Sequence, residues 1–250
     1  MSRPRQSPYS RVVVRGIFWE GHDHYRRGGP VYNAEQELHM VLNAFQSYGY
    51  SVGRMPIAQD PRRRSAFPGF LQDRLVDFAS SSPRTLIVLY YQGHGVMDRH
   101  GHLLLSNGNG QYMHWTEIAN AIINVRCDVL AILNCCHAGA AMKNSLVHRP
   151  NYERYAKEVM MATPYNQKSH WGSAAGFAAC LEQALRDLHY NWMLDFTGVP
   201  PHWASYINYI MKKKKPDSRN PVGVAHLIKP PESTRRGHPY EIVLSPLSAC

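Results

Sequence analysis

The sequence predicts an α/β domain of three layers, a mostly parallel central β-sheet with helices on both faces. Three short, nearly continuous apolar runs carry that prediction: Arg11–Phe18 (RVVVRGIF), Thr85–Tyr91 (TLIVLYY) and Cys127–Asn134 (CDVLAILN). Runs without polar alternation suit strands buried on both faces, as in a parallel sheet covered by helices. Segments of helical period separate them, and this alternation argues for right-handed crossovers in one layered domain. With 250 residues, 44% of them apolar, the chain can fill a full core, which excludes intrinsic disorder as its overall description.

Taken in order, residues 1–10 form a basic arm, expected to be flexible, with no apolar core of the kind a signal peptide needs. Residues 11–250 are expected to form a single domain. After the first strand, Ala34–Tyr48 carries Ala34, Leu38, Val41, Leu42 and Phe45 at helical spacing, with Asn33 as N-cap, Gln36 three residues on, and Gly49 as the stop. Pro68–Phe78 repeats the pattern, with Phe70, Leu71, Leu75 and Phe78 on one face. Following the second strand, HLLLS and QYMHW flank the turn Asn107–Gly110, which predicts a hairpin. Thr116 can cap a helix through Val125. The third strand follows, then a loop over Asn144–Lys157, a weaker strand at Glu158–Thr163 and helices at Ser173–Tyr190 and His202–Met211.

Lys and Arg number 28 against 18 Asp and Glu, a net charge of +10, yet only 18% of residues are charged, so the excess reflects scarce acids as much as abundant bases. Such a surface attracts anionic partners but says nothing about fold. The run Arg62–Arg64 has no nucleic-acid signature beside it, and Lys212–Lys215 ends a helix where cations favour the dipole, so nucleic acid is not expected as a partner. The five cysteines are odd in number and two are adjacent, which points to a reduced, cytoplasmic chain. The apolar stretch Ile118–Met142 is broken by Asn120, Asn124, Arg126, Asp128 and Asn134, so no membrane span is expected. Fourteen histidines raise the question of a metal, but neither paired Cys-x-x-Cys spacing nor a His-Glu-x-x-His helix is present; no metal or cofactor is expected.

Chemistry is expected where parallel strands end at their C-terminal rim. The two strongest strands run into YYQGHG and ILNCCHAG, delivering His94 and Cys136 to that rim. A nucleophilic cysteine needs a base or cation beside it and backbone donors for the oxyanion. Gly95 and Cys136 can supply those N–H groups, because glycine beside His94 lets the backbone approach a substrate carbonyl. Cys127 and Cys180, set within apolar segments, and Cys135 are expected as packing residues.

YYQGHG resembles the Gly-His-Gly segment of caspase-like peptidases, particularly metacaspases, and NCCHAG is similar to their Asp-(Ser/Cys)-Cys-His-(Ser/Ala)-Gly segment. MMATPYNQKSHWGSAAGFAACLEQALRD is similar to the strand, polar loop and helix that follow the nucleophile in that family, and the resemblance runs from about Val12 to Leu247. It implies a three-layer caspase-like fold, with His94 and Cys136 as catalytic dyad, Cys136 rather than Cys135 as nucleophile, and protein or peptide substrates cleaved through a thioester. A homodimer is compatible with it. The chain departs from the pattern in the pocket for the residue before the scissile bond (P1), where metacaspases bind a basic side chain with two acids. Here those positions are Asn33 and Asn134, which removes the charge partners of a buried Arg or Lys. Arg27-Gly28-Gly29 resembles the Arg-x-Gly segment with which animal caspases recognise Asp. Acidic, neutral and basic P1 residues therefore remain open, as does a catalytically weak scaffold acting as a death-signalling interaction module.

Overall fold

The computed structural model describes residues 7–21, 34–80, 84–143, 155–165, 176–193, 203–214 and 223–228, together with 242, 244 and 247. Arg27, Asn33, most of the N-terminal arm and the expected loop over 144–154 lie outside the described residues.

A six-stranded sheet forms the middle layer. In chain order its strands are β1 (Arg11–Trp19), β2 (Ser51–Ile57), β3 (Thr85–Gln92), β7 (Asp128–Asn134), β8 (Lys157–Met161) and β9 (Gly223–Ile228), and in space they run β2-β1-β3-β7-β8-β9. All are parallel except β9, which pairs antiparallel with β8. The central strand β3 is buried at every residue, as its unbroken apolar run requires. A second, antiparallel sheet of three short strands, β4 (His94–Met97), β5 (Leu103–Ser106) and β6 (Tyr112–His114), follows β3 directly and contains the expected hairpin.

Alternation along the strands sorts side chains into two cores. On one face Val12, Val14, Leu86, Val88 and Tyr90 meet Leu38 and Phe45 of α1 (Ala34–Gln46), Leu181 of α4 (Phe177–Met193) and Ile207 of α5 (Trp203–Lys214). On the other, Ile17, Ile87, Leu89, Val129 and Leu133 meet Leu71 and Leu75 of α2 (Pro61–Ser80) and Ile118 and Ile122 of α3 (Trp115–Ile123). Three layers result, helices on both faces of a mostly parallel sheet.

Several elements differ from expectation for local reasons. Strand β2 (SVGRMPI) lacks an apolar run because it is an edge strand, paired only to β1, where Pro56 costs no ladder bond on the outer side. Helix α2 begins at Pro61 rather than Pro68. Proline suits a first helical position, and Asp60 caps the helix by accepting the Arg63 N–H at 2.9 Å. Its buried stripe is Phe67, Leu71 and Leu75, while Phe70 faces solvent beneath the Arg74 guanidinium. Helix α3 starts at Trp115, its cap position being His114 rather than Thr116, with no side-chain cap bond. Strand β8 opens on Lys157, the last residue of the expected loop, and that side chain is buried with its Nζ donating to the carbonyls of Val125 (2.9 Å) and Cys127. Strand β9 (GVAHLI), an edge strand paired only to β8, was not expected from the sequence.

Candidate active site

Strands β3 and β7 are neighbours, with Gln92 opposite Asn134, and the Gly93 N–H extends the ladder one step by donating to the Asn134 carbonyl at 3.4 Å. His94 and Cys136 each lie two residues beyond that register pair. They therefore leave the sheet at the same level of the same rim.

Two close approaches explain both glycines that flank His94. A Cβ on Gly93 would stand 2.3 Å from the Tyr91 Oη, which donates at 2.9 Å to the His94 carbonyl. A Cβ on Gly95 would stand 2.0 Å from the Cys136 carbonyl oxygen and 2.9 Å from the Cys135 Sγ. The Gly95 approach is to backbone and leaves no room for a side chain, so glycine there is what lets the two strand-end segments touch, whereas the Gly93 approach is to the end of the Tyr91 side chain within its own segment. Through Gly95 the backbone beside His94 packs directly on the backbone of Cys136. His94 and Cys136 are both half-buried, hence reachable, whereas Gly95 is buried.

The turn that carries Cys136 is fixed from behind. Thr163, just after β8, donates its hydroxyl to the Cys135 carbonyl and accepts the Ala138 N–H, each at 3.1 Å, and its own carbonyl accepts the Gly139 N–H at 2.9 Å. His137 sits at φ 56°, ψ 24°, left-handed backbone that no other described non-glycine residue adopts, and its Nδ1 is buried without a hydrogen-bond partner. A non-glycine residue in that region is retained only where its surroundings over-determine it.

The thiols differ sharply. Cys135 is fully buried and burial pushes its thiol far above the ordinary range; burial likewise pushes Cys127 up to about 11 and raises Cys180. A thiol in apolar surroundings resists ionisation and stays unreactive. Cys136 is the one described cysteine that is not buried.

Asn134 lies under the site rather than open to it. It is 2% exposed, and its Nδ2 donates to the Gln92 Oε1 at 2.7 Å and the Tyr90 Oη at 3.1 Å. Tyr90 donates to the same Gln92 oxygen at 2.6 Å, and the Gln92 Nε2 donates to the Glu37 carboxylate at 2.9 Å. Burial and the nearby Glu37 charge hold the Tyr90 phenol well above its ordinary pKa. Glu37, Gln92, Tyr91 and Thr163 escaped the sequence reading. Glu37 had a signal, since it falls on the inward stripe of α1 beside Leu38 and Val41, where an acid needs partners. Among the described residues no group of three or more potential metal ligands converges. No helix among them is long and apolar enough to cross a membrane.

No protein-family model and no curated protein sequence matches the chain. Among solved structures the chain is similar to caspase-1 from Spodoptera frugiperda, with a TM-score of 0.55 over 92% of this chain and 94% of that one at 12% sequence identity. At that identity the likeness is one of fold. The chain has a caspase-like fold, and the rim where β3 and β7 run out toward His94 and Cys136 lies at the C-terminal edge of its central sheet.

Proposed function

We propose that the protein is a cysteine endopeptidase of the caspase and metacaspase type, acting on protein or peptide substrates in the cytoplasm. The observation that carries this reading is the contact of Gly95 with the Cys136 backbone, which brings together the two strand ends that bear His94 and the one non-buried described thiol. The Cys136 thiolate attacks the scissile carbonyl carbon, and the oxyanion accepts the Gly95 and Cys136 N–H groups. As the C–N bond breaks, His94 gives its proton to the leaving amine, leaving a thioester. His94 then takes a proton from water, the hydroxide adds to the thioester carbonyl, and the C–S bond breaks to free the acid and Cys136. Free thiols at Cys127, Cys135 and Cys180 suit a reducing compartment.

With amides at 33 and 134, the site favours a neutral polar P1 residue over Arg or Lys. Asn134 and Glu37 are both buried beneath the rim, 2% and 7% exposed, so a substrate cation would have to give up its own hydration to reach either. A peptide-library cleavage profile, run beside Cys136→Ala, tests this. Cleavage after neutral polar residues, absent in the variant, is the expected result; identical profiles for both proteins would instead support a catalytically weak scaffold.

A further inference from the structure

We propose that the outer face of the β4–β5–β6 sheet binds the leaving-group side of the substrate, with Val96 and Tyr112 selecting apolar residues in the first three positions past the scissile bond. The inference rests on the peptidase reading above. In the antiparallel register His94 stands opposite Ser106 and Ser106 opposite Tyr112, while Val96 stands opposite Leu104 and Leu104 opposite His114. Strand side chains alternate between faces, so these six share one face. The opposite face carries Leu103, Leu105 and Met113, all in the core, with Met97 packed against it. On the His94 face the middle strand is covered, Leu104 being 7% and Ser106 6% exposed, while the flanking strands show Val96 at 42% and Tyr112 at 52% exposure. Ser106 is not available to a ligand through its hydroxyl proton, which it donates to the Gln111 carbonyl at 3.0 Å.

Reaction chemistry decides what this face meets. A general acid must lie within hydrogen-bond reach of the leaving nitrogen, so the first residue past the scissile bond starts beside the His94 ring. Val96 is two positions along β4, about 7 Å away, and Tyr112 is two strand spacings across the sheet, about 10 Å away. An extended peptide advances about 3.3 Å per residue, so its first three residues span about 10 Å, a radius around His94 that takes in both Val96 and Tyr112. Val96 and Tyr112 carry no formal charge. Tyr112 is braced edge-on against His114, ring centroids 5.9 Å apart at 89°, which presents the flank of a large apolar ring at little entropic cost.

Acyl transfer reads this face directly, because an amine that captures the thioester must occupy the leaving-group site. Its nitrogen adds to the thioester carbonyl, an amide bond forms as the C–S bond breaks, and the amine proton passes to His94. Acyl-peptide methylcoumarylamides with acidic, neutral and basic P1 residues load Cys136 without any residue past the scissile bond. Dipeptide amides then compete with water. Leucyl-phenylalanine amide is expected to capture at least about fivefold more acyl group than glycyl-glycine amide, a preference within the range one hydrophobic subsite supplies. Val96→Ser and Tyr112→Ser should each bring that ratio toward one, and because the ratio is internal to each variant it does not depend on how much acyl-enzyme forms. Coumarin release with equal capture of both amides, or variants that keep the full preference, overturns the proposal alone. No coumarin release from any substrate overturns the peptidase reading and this proposal with it.

Discussion

At the level of single residues, the site depends on atoms that are missing. Gly95 has no Cβ because the Cys136 carbonyl and Cys135 thiol fill that space. Gly95→Ala must push the β4 and post-β7 segments apart, at a cost of about 1–3 kcal/mol in stability. A misplacement on the order of 1 Å between reacting groups costs roughly 100-fold in rate. The expected outcome is a folded variant, checked by thermal unfolding, whose catalytic efficiency falls at least that far; an alanine variant with parental activity would show that the contact does not align the dyad. The pattern His94, Gly95, Cys136 was readable because its spacing is local to two strand ends. Tyr91 and Thr163 were not readable. The Tyr91 hydroxyl bonds the His94 carbonyl three residues on, a turn that no residue pattern marks, and the Thr163 hydroxyl bonds the Cys135 carbonyl, which only the folded chain brings near.

Among the elements, β3, β7 and α1 were legible because burial on two faces, or on one helical stripe, writes itself into composition. Edge strand β2 and the first turns of α2 were not, since partial exposure leaves no such trace. The start of β8 shows the same limit in reverse. Lysine usually signals solvent, yet Lys157 is 1% exposed at the end of the sheet away from the site, closing off carbonyls at the exit of α3. Burial lowers its pKa to about 8 from the ordinary value of 10.5. Between those values the unfolded chain holds a proton that the folded chain has released, so stability rises with pH through this window and the charged form is the costly one below it. Lys157→Met should flatten that rise, measured as the difference in urea-unfolding free energy between pH 8 and pH 10 relative to the parent. Equal pH dependence in both proteins would mean that Lys157 keeps an ordinary pKa in the fold.

For the whole molecule, one sheet joins segments from both halves of the chain, and strands adjacent in space rather than in sequence supply His94 and Cys136. The three-layer architecture was visible from the apolar runs alone, and the likeness to a caspase structure at 12% identity shows how little of the chain that architecture constrains. The net charge of +10 acquires a simpler meaning as well. Exposed Lys212–Lys214 close α5 at its dipole-favoured end, Arg63 meets Glu20 at 3.3 Å, and the acid deficit extends to positions 33 and 134, where the resemblance called for carboxylates. What remains decisive is whether the two strand ends form a working dyad. Peptide probes bearing an electrophilic ketone, with acidic, neutral and basic P1 residues, should modify Cys136 by intact-mass and peptide-mapping analysis, leave Cys127, Cys135 and Cys180 untouched, and react far more slowly with His94→Ala. Modification spread evenly over the cysteines, or reaction at Cys136 that is indifferent to the loss of His94, would contradict a Cys136–His94 peptidase.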